Sequence, residues 1–115
     1  MHELGIAHDL FDILNKKAKE NNLKKITKVR IKVGVASGVE KDFLRHSFVD
    51  HIFPNTIAEA AVLEITDDPI EVVCKDCKKK IEQQHFVINC PHCGSYNIEI
   101  NSGDRVFIES IEGEH

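Results

Sequence analysis

Two cysteine pairs constrain this chain more than any other feature of its sequence. All four of its cysteines lie in Cys74-Lys-Asp-Cys77 and Cys90-Pro-His-Cys93, and twelve residues separate the two pairs. Two CxxC turns that face each other bring four thiolates to the corners of a tetrahedron, which is the geometry of structural zinc. Pro91 presets the second turn, and Gly94 permits a tight exit from it. The spacing therefore predicts a zinc site made by Cys74, Cys77, Cys90 and Cys93.

Redox-active disulfides and a catalytic zinc are the alternatives to this interpretation. A redox pair is usually a single CxxC in a thioredoxin-like context, which this sequence lacks. A catalytic zinc needs an open coordination position, and four cysteine ligands leave none. His85 and His92 lie close to the cysteines in sequence and are expected to be spectators beside a complete four-cysteine site.

Charge and composition limit the partners of the chain. Its 115 residues suit one domain with a small insert, and a net charge of −4 argues against strong non-specific attraction to nucleic acid or anionic membranes. Lysines surround the first cysteine pair and offset the charge of the site; a solvated charge run is favoured over a nucleic-acid patch. Because no leader peptide and no apolar run of about 20 residues is visible, we expect a cytoplasmic protein that does not enter a membrane.

Hydrophobic periodicity predicts two helices and three strands. The helices are expected over 4–20, ending at Asn21-Asn22, and over 37–53, beginning with a capping box whose N-cap is Ser37 and whose third residue is Glu40. The strands are expected over 28–35, 61–65 and 105–112, with turns at 67–69 and 102–104. Residues 70–100 are too polar to build a core of their own. The simplest arrangement is an α+β fold in which two helices pack on one three-stranded sheet, although residues 105–112 could instead belong to the insert.

The first three residues offer a second set of metal donors. The Met1 α-amine, the His2 amide and the His2 imidazole can close two chelate rings around one ion, and the Glu3 amide or carboxylate can supply a fourth donor. Four nitrogen and oxygen donors in a plane suit Ni(II) or Cu(II) rather than zinc. On chemistry alone, an exposed polar terminus is the simpler interpretation of a histidine at this position.

In combination, these motifs resemble the HypA/HybF family of nickel metallochaperones. The resemblance covers nearly the whole chain and rests on motifs in a specific order. These are Met1-His2-Glu3-Leu4 before a helix, Ser37-Gly-Val-Glu40 after the first strand, Cys90-Pro-His-Cys93-Gly-Ser95 in the second cysteine pair, and the closing segment 103–112. Gly5 departs from the serine usual in the family, which removes a possible helix cap but no metal ligand.

The resemblance implies a function and a set of partners. It implies that His2, assisted by the Met1 amine and Glu3, binds nickel as cargo, and that the four cysteines bind a structural zinc. The implied partners are a nickel-handling GTPase similar to HypB, the [NiFe]-hydrogenase large subunit and, in some organisms, urease maturation factors. We therefore expect metal transfer rather than enzymatic catalysis.

The resemblance also implies a domain organisation. It implies a nickel-binding domain over 1–69 and 103–115, with a zinc-ribbon-like domain inserted over 70–102. The alternative is a zinc ribbon that binds nucleic acid or protein without transferring nickel. The net acidity and the scarcity of aromatic residues speak against the nucleic-acid form of that alternative.

Overall fold

A computed structural model describes residues 3–82 and 89–115 of the chain. The first helix is α1 (Glu3–Glu20), and the second is α2 (Lys41–His46), which continues as a π-helical segment (Ser47–Ile52). The strands are β1 (Lys25–Gly34), β2 (Val62–Asp68), β3 (Glu71–Cys74), β4 (Lys80–Glu82), β5 (Ile98–Ser102) and β6 (Val106–Glu114). This order confirms the predicted α+β class.

The first helix follows its apolar stripe closely. Its buried residues recur every three or four positions, as the core face of a helix requires, and they are Ala7, Leu10, Leu14 and Ala18. Leu4 has the spacing of this stripe but is exposed. The helix stops where predicted: Asn22 takes a left-handed conformation with φ 58°, and the Leu23 amide donates to the Ala18 carbonyl.

The second helix begins later than the capping box predicts. Its N-cap is Glu40 rather than Ser37, and the Glu40 carboxylate accepts a hydrogen bond of 3.0 Å from the Asp42 amide. The prediction fails because Gly38 has φ +77°, which breaks helical geometry between Ser37 and the helix. Glu40, which the capping box places three residues after the N-cap, is therefore the N-cap of this helix.

A π-helical segment carries the second half of this helix to its end. The Phe53 amide donates to the Phe48 carbonyl five residues earlier, which is the π-helical pattern. Leu44, Phe48 and Ile52 are all buried and form the apolar face of this helix. The Phe53 ring packs at centroid distances of 5.3 Å from Phe48 and 6.1 Å from Phe11. Aromatic packing thus joins this segment to α1.

The first sheet has the strand order β2-β1-β6. The closing segment therefore returns to the main sheet instead of joining the insert, as the simplest arrangement predicts. The turn predicted at 67–69 is wrong for its first two residues, because β2 extends through Asp68. There the Asp68 carbonyl accepts from the Val35 amide at 3.0 Å and its carboxylate from the Gly103 amide at 3.2 Å. Tertiary hydrogen bonds thus keep Asp67 and Asp68 in a strand, although local propensity assigns both residues to a turn.

The second sheet is formed within the segment that contains the cysteines. Its order is β4-β3-β5, and β3 is antiparallel to both neighbours. A small buried cluster includes two of the cysteines and three residues of these strands; its members are Ile70, Val72, Cys74, Ile81 and Cys90. The expectation that this polar segment lacks a core of its own is therefore wrong, because the cysteines themselves supply part of the buried volume.

The described residues divide into two compact units. The first comprises 3–32, 39–66 and 107–115, and the second comprises 33–38, 67–82 and 89–106. The first contains both helices, and the second contains the four cysteines and the second sheet. The domain boundaries after residue 69 and before residue 103 stay a prediction. In the part of the chain that the structure describes, no helix is both long and apolar enough to cross a bilayer.

Candidate metal centre

The first cysteine pair lies in a tight turn that follows β3. The Cys74 carbonyl accepts a hydrogen bond of 2.9 Å from the Lys78 amide, and the Cys74 sulfur lies 3.5 Å from the Cys77 amide nitrogen. Lys78 completes the turn with φ 66°, a left-handed conformation that is unusual for a residue with a side chain. An amide directed at a sulfur stabilises the thiolate that a metal requires.

The second cysteine pair repeats this turn. The Gly94 amide donates to the Cys90 carbonyl at 2.8 Å, and the His92 amide lies 3.3 Å from the Cys90 sulfur. Gly94 has φ +78°, so the tight exit predicted for it is confirmed. Lys78 and Gly94 each follow the second cysteine of their pair directly. The repeated CxxC spacing predicts two similar turns. Only Gly94 is a residue type that indicates a left-handed conformation.

The two turns bring the four sulfurs together. All four Sγ atoms lie within 4.8 Å of one another. The shortest separations join the two turns, at 3.6 Å between Cys74 and Cys93 and 3.7 Å between Cys77 and Cys90. A tetrahedral zinc with Zn–S bonds of about 2.3 Å requires sulfurs about 3.8 Å apart. The donor set therefore fits a four-thiolate zinc site in both chemistry and spacing.

Burial and protonation differ among the four cysteines. Cys74 and Cys90 are buried, Cys77 is intermediate and Cys93 is exposed. The Cys77 amide lowers the pKa of Cys74 to about 7. At Cys93 the Ser95 amide acts in the same direction, but the neighbouring Cys74 sulfur and desolvation outweigh it and raise the pKa of Cys93 to about 12. Four adjacent thiolates are stable together only with a cation between them, so metal binding displaces protons from this cluster.

A polar network links the two cysteine turns outside the sulfur cluster. The Asp76 carboxylate, between the first two cysteines, accepts hydrogen bonds from the Ser95 hydroxyl and from the Asn97 side-chain amide, the latter at 3.3 Å. The Asn97 backbone amide donates to the Ser95 hydroxyl at 3.0 Å. The Ser95 hydroxyl and the Asn97 amide lower the pKa of Asp76, so this carboxyl is ionised at neutral pH. No motif in the sequence predicts this network.

Two of the lysines near the site form ion pairs with glutamates of the second sheet. The Lys75 ammonium lies 3.8 Å from Glu99 of β5, and the Lys80 ammonium lies 3.3 Å from Glu71 of β3. These pairs are exposed, and they support the interpretation of the run as a solvated charged surface. His92 is exposed, and its backbone amide rather than its ring contacts a cysteine sulfur. His85 lies outside the described residues.

Of the three predicted nickel donors, the structure describes only Glu3. Met1 and His2 lie outside the described residues. Glu3 begins α1, and its carboxylate accepts a hydrogen bond of 3.3 Å from the Glu40 backbone amide. The N-cap of α2 therefore lies beside Glu3, 37 residues earlier in the chain. The sequence pattern predicts only a capping role for Glu40.

Known proteins resemble this chain over nearly its whole length. The family model described as hydrogenase/urease nickel incorporation, metallochaperone, hypA matches residues 1–113. The hydrogenase maturation factor HypA of Aquifex aeolicus (strain VF5) is 39% identical over 114 residues, covering 99% of this chain and 98% of its own. The factor of the same name from Psychromonas ingrahamii is 36% identical over the full length of both chains.

Structural comparison agrees with the sequence matches. The solution structure of the Ni metallochaperone HypA from Helicobacter pylori superposes with a TM-score of 0.78 and 27% identity, covering 99% of this chain and 98% of that one. The resemblance drawn from the motifs is therefore confirmed. The chain belongs to the HypA family of hydrogenase and urease nickel-incorporation metallochaperones.

Proposed function

We propose that this chain binds Ni(II) at its N-terminus and delivers it during maturation of a [NiFe]-hydrogenase, while its four cysteines hold a structural zinc. The observation that carries this proposal is the match to one nickel-incorporation family over residues 1–113. That match includes Met1-His2-Glu3 and both cysteine pairs. The chain acts by transferring a metal ion rather than by catalysing a reaction, in the cytoplasm.

The proposed nickel site uses donors at the end of the chain. The Met1 amine, the His2 amide and the His2 imidazole supply three nitrogens, and Glu3 supplies the fourth donor. The hydrogen bond from the Glu40 amide occupies one oxygen of the Glu3 carboxylate, which favours the Glu3 backbone amide as that donor. A site with few donors at a chain end suits delivery, because an acceptor can displace them one at a time.

The proposed zinc site is closed by comparison. Four cysteines fill the tetrahedral coordination of zinc and leave no position for water or substrate. When bound, zinc supplies cross-linking energy of about 10 kcal/mol or more to a unit whose own core is small. The residues around it shape a surface for partner proteins. The partners we propose are a HypB-like nickel-handling GTPase and the hydrogenase large-subunit precursor, with urease maturation factors as further candidates.

A nickel titration tests the terminal site. Zinc-loaded protein with its native N-terminus is compared with a form that carries one extra N-terminal residue, which moves the α-amine out of the chelate but keeps His2 and Glu3. We expect one tight nickel equivalent in the native form only, with affinity that rises with pH as the amine loses its proton. His2→Ala should also abolish binding, whereas the matched control His8→Ala, at an exposed position of α1, should not.

Each outcome of the titration distinguishes between sites. Equal binding by the native and extended forms would refute the terminal chelate and direct attention to the internal histidines. If neither form bound nickel, the chain would instead be a zinc-ribbon interaction module. Unchanged nickel affinity in a tag-free His2→Ala protein would contradict the role of His2.

A metal analysis tests the zinc site separately. Cys74→Ser should lose zinc and disrupt the second unit, because Cys74 is both a buried core residue and a proposed ligand. Zinc content is measured by atomic emission, and folding of the second unit by NMR. Retention of one full zinc equivalent in Cys74→Ser would contradict the proposed ligand set.

A further inference from the structure

The four cysteines present one exposed end to solvent. Cys74 and Cys90 are 0% and 1% exposed, whereas Cys93, on the second turn, is exposed. A competing ligand reaches an exposed donor before a buried one, since it needs no unfolding to do so. If the site releases its metal stepwise, Cys93 is therefore the donor at which release begins.

The Asp76 side chain accepts hydrogen bonds from the chain segment that follows Cys93. Ser95 lies two residues after Cys93, and its hydroxyl donates to the Asp76 carboxylate of the opposite turn. The Asn97 side chain donates to the other Asp76 oxygen at 3.3 Å. One carboxylate therefore holds two residues of the segment that follows Cys93, and these bonds join parts of the chain 19 and 21 residues apart.

Backbone hydrogen bonds support the same region without Asp76. The Lys75 amide donates to the Asn97 carbonyl at 2.8 Å, and the Cys90 amide donates to the Ser95 carbonyl at 2.7 Å. Neither bond involves the Asp76 side chain, so we expect both to remain in Asp76→Ala. The carboxylate acts on a smaller motion, the displacement of the Cys93 segment from the other three sulfurs.

We propose that Asp76 is a positioning residue that keeps the Cys93 end of the four-cysteine site closed and thereby limits the rate of metal release. This inference rests on the proposed zinc site. It adds that release begins at Cys93 and that Asp76 limits its rate. Asp76 acts through Ser95 and Asn97 and is not one of the four proposed ligands. Because the link is exposed, it opens and closes without disturbing the buried residues beneath it.

The role of Asp76 is tested by measuring the rate at which zinc passes to an excess of a coloured chelator. We expect Asp76→Ala to release zinc on the order of fivefold faster than the unmodified protein, as loss of exposed charge-assisted hydrogen bonds predicts. The control Asp104→Ala removes the same charge from an exposed turn of the same unit and should not change the rate. Equal release rates in Asp76→Ala and the unmodified protein would refute the proposal.

Ser95 variants separate positioning from general destabilisation. Ser95→Ala should speed release much as Asp76→Ala does, and the double variant should be little faster than either, because both changes remove the hydrogen bond between Ser95 and Asp76. Ser95→Thr keeps the hydroxyl and should restore slow release. Fully additive effects would overturn the proposal. The spectrum of the cobalt-substituted protein should stay unchanged in all variants, and loss of the four-thiolate spectrum would show that the site itself is altered and would likewise count against it.

Alkylation of the zinc-loaded protein measures the direction of opening. Limited treatment with iodoacetamide followed by peptide mass mapping should find Cys93 modified first, and earlier still in Asp76→Ala. First modification at Cys74 or Cys90 would refute release from the Cys93 end while leaving the zinc site intact. A protein that binds no zinc in the unmodified form would instead refute the proposed function, so the two failures are distinguishable.

Discussion

Gly34 occupies a position where no side chain fits. A Cβ built on Gly34 lies 2.4 Å from the Gly103 carbonyl oxygen and 2.7 Å from the Arg105 carbonyl oxygen. To reach even 3.0 Å from the nearer atom, the backbone has to move by about 0.6 Å, since neither neighbour is a flexible side chain. Both oxygens already accept backbone hydrogen bonds of 2.7 Å, Gly103 from Ala36 and Arg105 from Gly34 itself. Gly34→Ala therefore strains a contact that is also hydrogen-bonded.

The cost of this substitution combines two contributions. Displacing the two hydrogen bonds costs about 1 kcal/mol each, and overpacking against fixed backbone adds about 1 to 3 kcal/mol. We expect Gly34→Ala to lower the free energy of unfolding by about 3 to 5 kcal/mol and the melting temperature by about 12 to 20 °C. The assay is urea and thermal unfolding of the zinc-loaded protein, followed by circular dichroism.

Gly38 provides the matched control for this argument. A Cβ at Gly38 meets nothing within 4 Å, but its φ of +77° disfavours a side chain. Gly38→Ala should therefore cost about 1 kcal/mol, from backbone conformation alone. If Gly34→Ala were no more destabilising than Gly38→Ala, the reasoning from steric contact would be refuted.

Three further predictions concern a left-handed turn, an ion pair and the helical core. Lys78→Gly should stabilise the zinc-loaded protein by about 0.5 kcal/mol in urea unfolding, because relief of the left-handed strain at φ 66° exceeds the added chain entropy of glycine; a loss of stability would contradict this. The hydrogen bond from Arg30 lowers the pKa of Glu64, so Glu64→Gln should reduce stability above the ordinary glutamate pKa, and the difference should vanish as pH falls through the lowered pKa of the folded state; a difference that persists in acid would count against the ion pair. Phe48→Ala, at a fully buried ring, should cost about 3 to 5 kcal/mol, whereas Phe43→Ala, at a ring 64% exposed, should change stability by less than about 0.5 kcal/mol; similar costs at both sites would refute the burial argument.

Helix and strand positions were predictable wherever one periodicity ran through many residues. Ala7, Leu10, Leu14 and Ala18 form one stripe whatever lies opposite them, so α1 was found nearly to its ends. Helix boundaries were less predictable, because Ser37 and Glu40 both carry capping side chains. Only the backbone conformation of Gly38, between them, selects Glu40 as the cap.

The candidate metal centre is also only partly predictable from the sequence. Two CxxC turns identify four thiolates, since the chain itself holds the members of each pair close together. The lysine at the left-handed position of the first turn, Lys78, carried no comparable signal, because only glycine adopts that conformation without steric cost.

The sequence by itself determined which residues form the long helix, which cysteines can share a metal, and which family the chain resembles. Each of these depends on short, fixed spacings that chain connectivity enforces. Tertiary structure alone decided that Asp68 belongs to a strand, that Glu3 contacts the Glu40 amide, and that Asp76 links the two cysteine turns. The partners in these contacts lie 19 to 37 residues apart, so no local pattern predicts them. They exist because folding brings unsatisfied polar groups together, and each group then finds its hydrogen bond at whatever sequence distance the packing supplies.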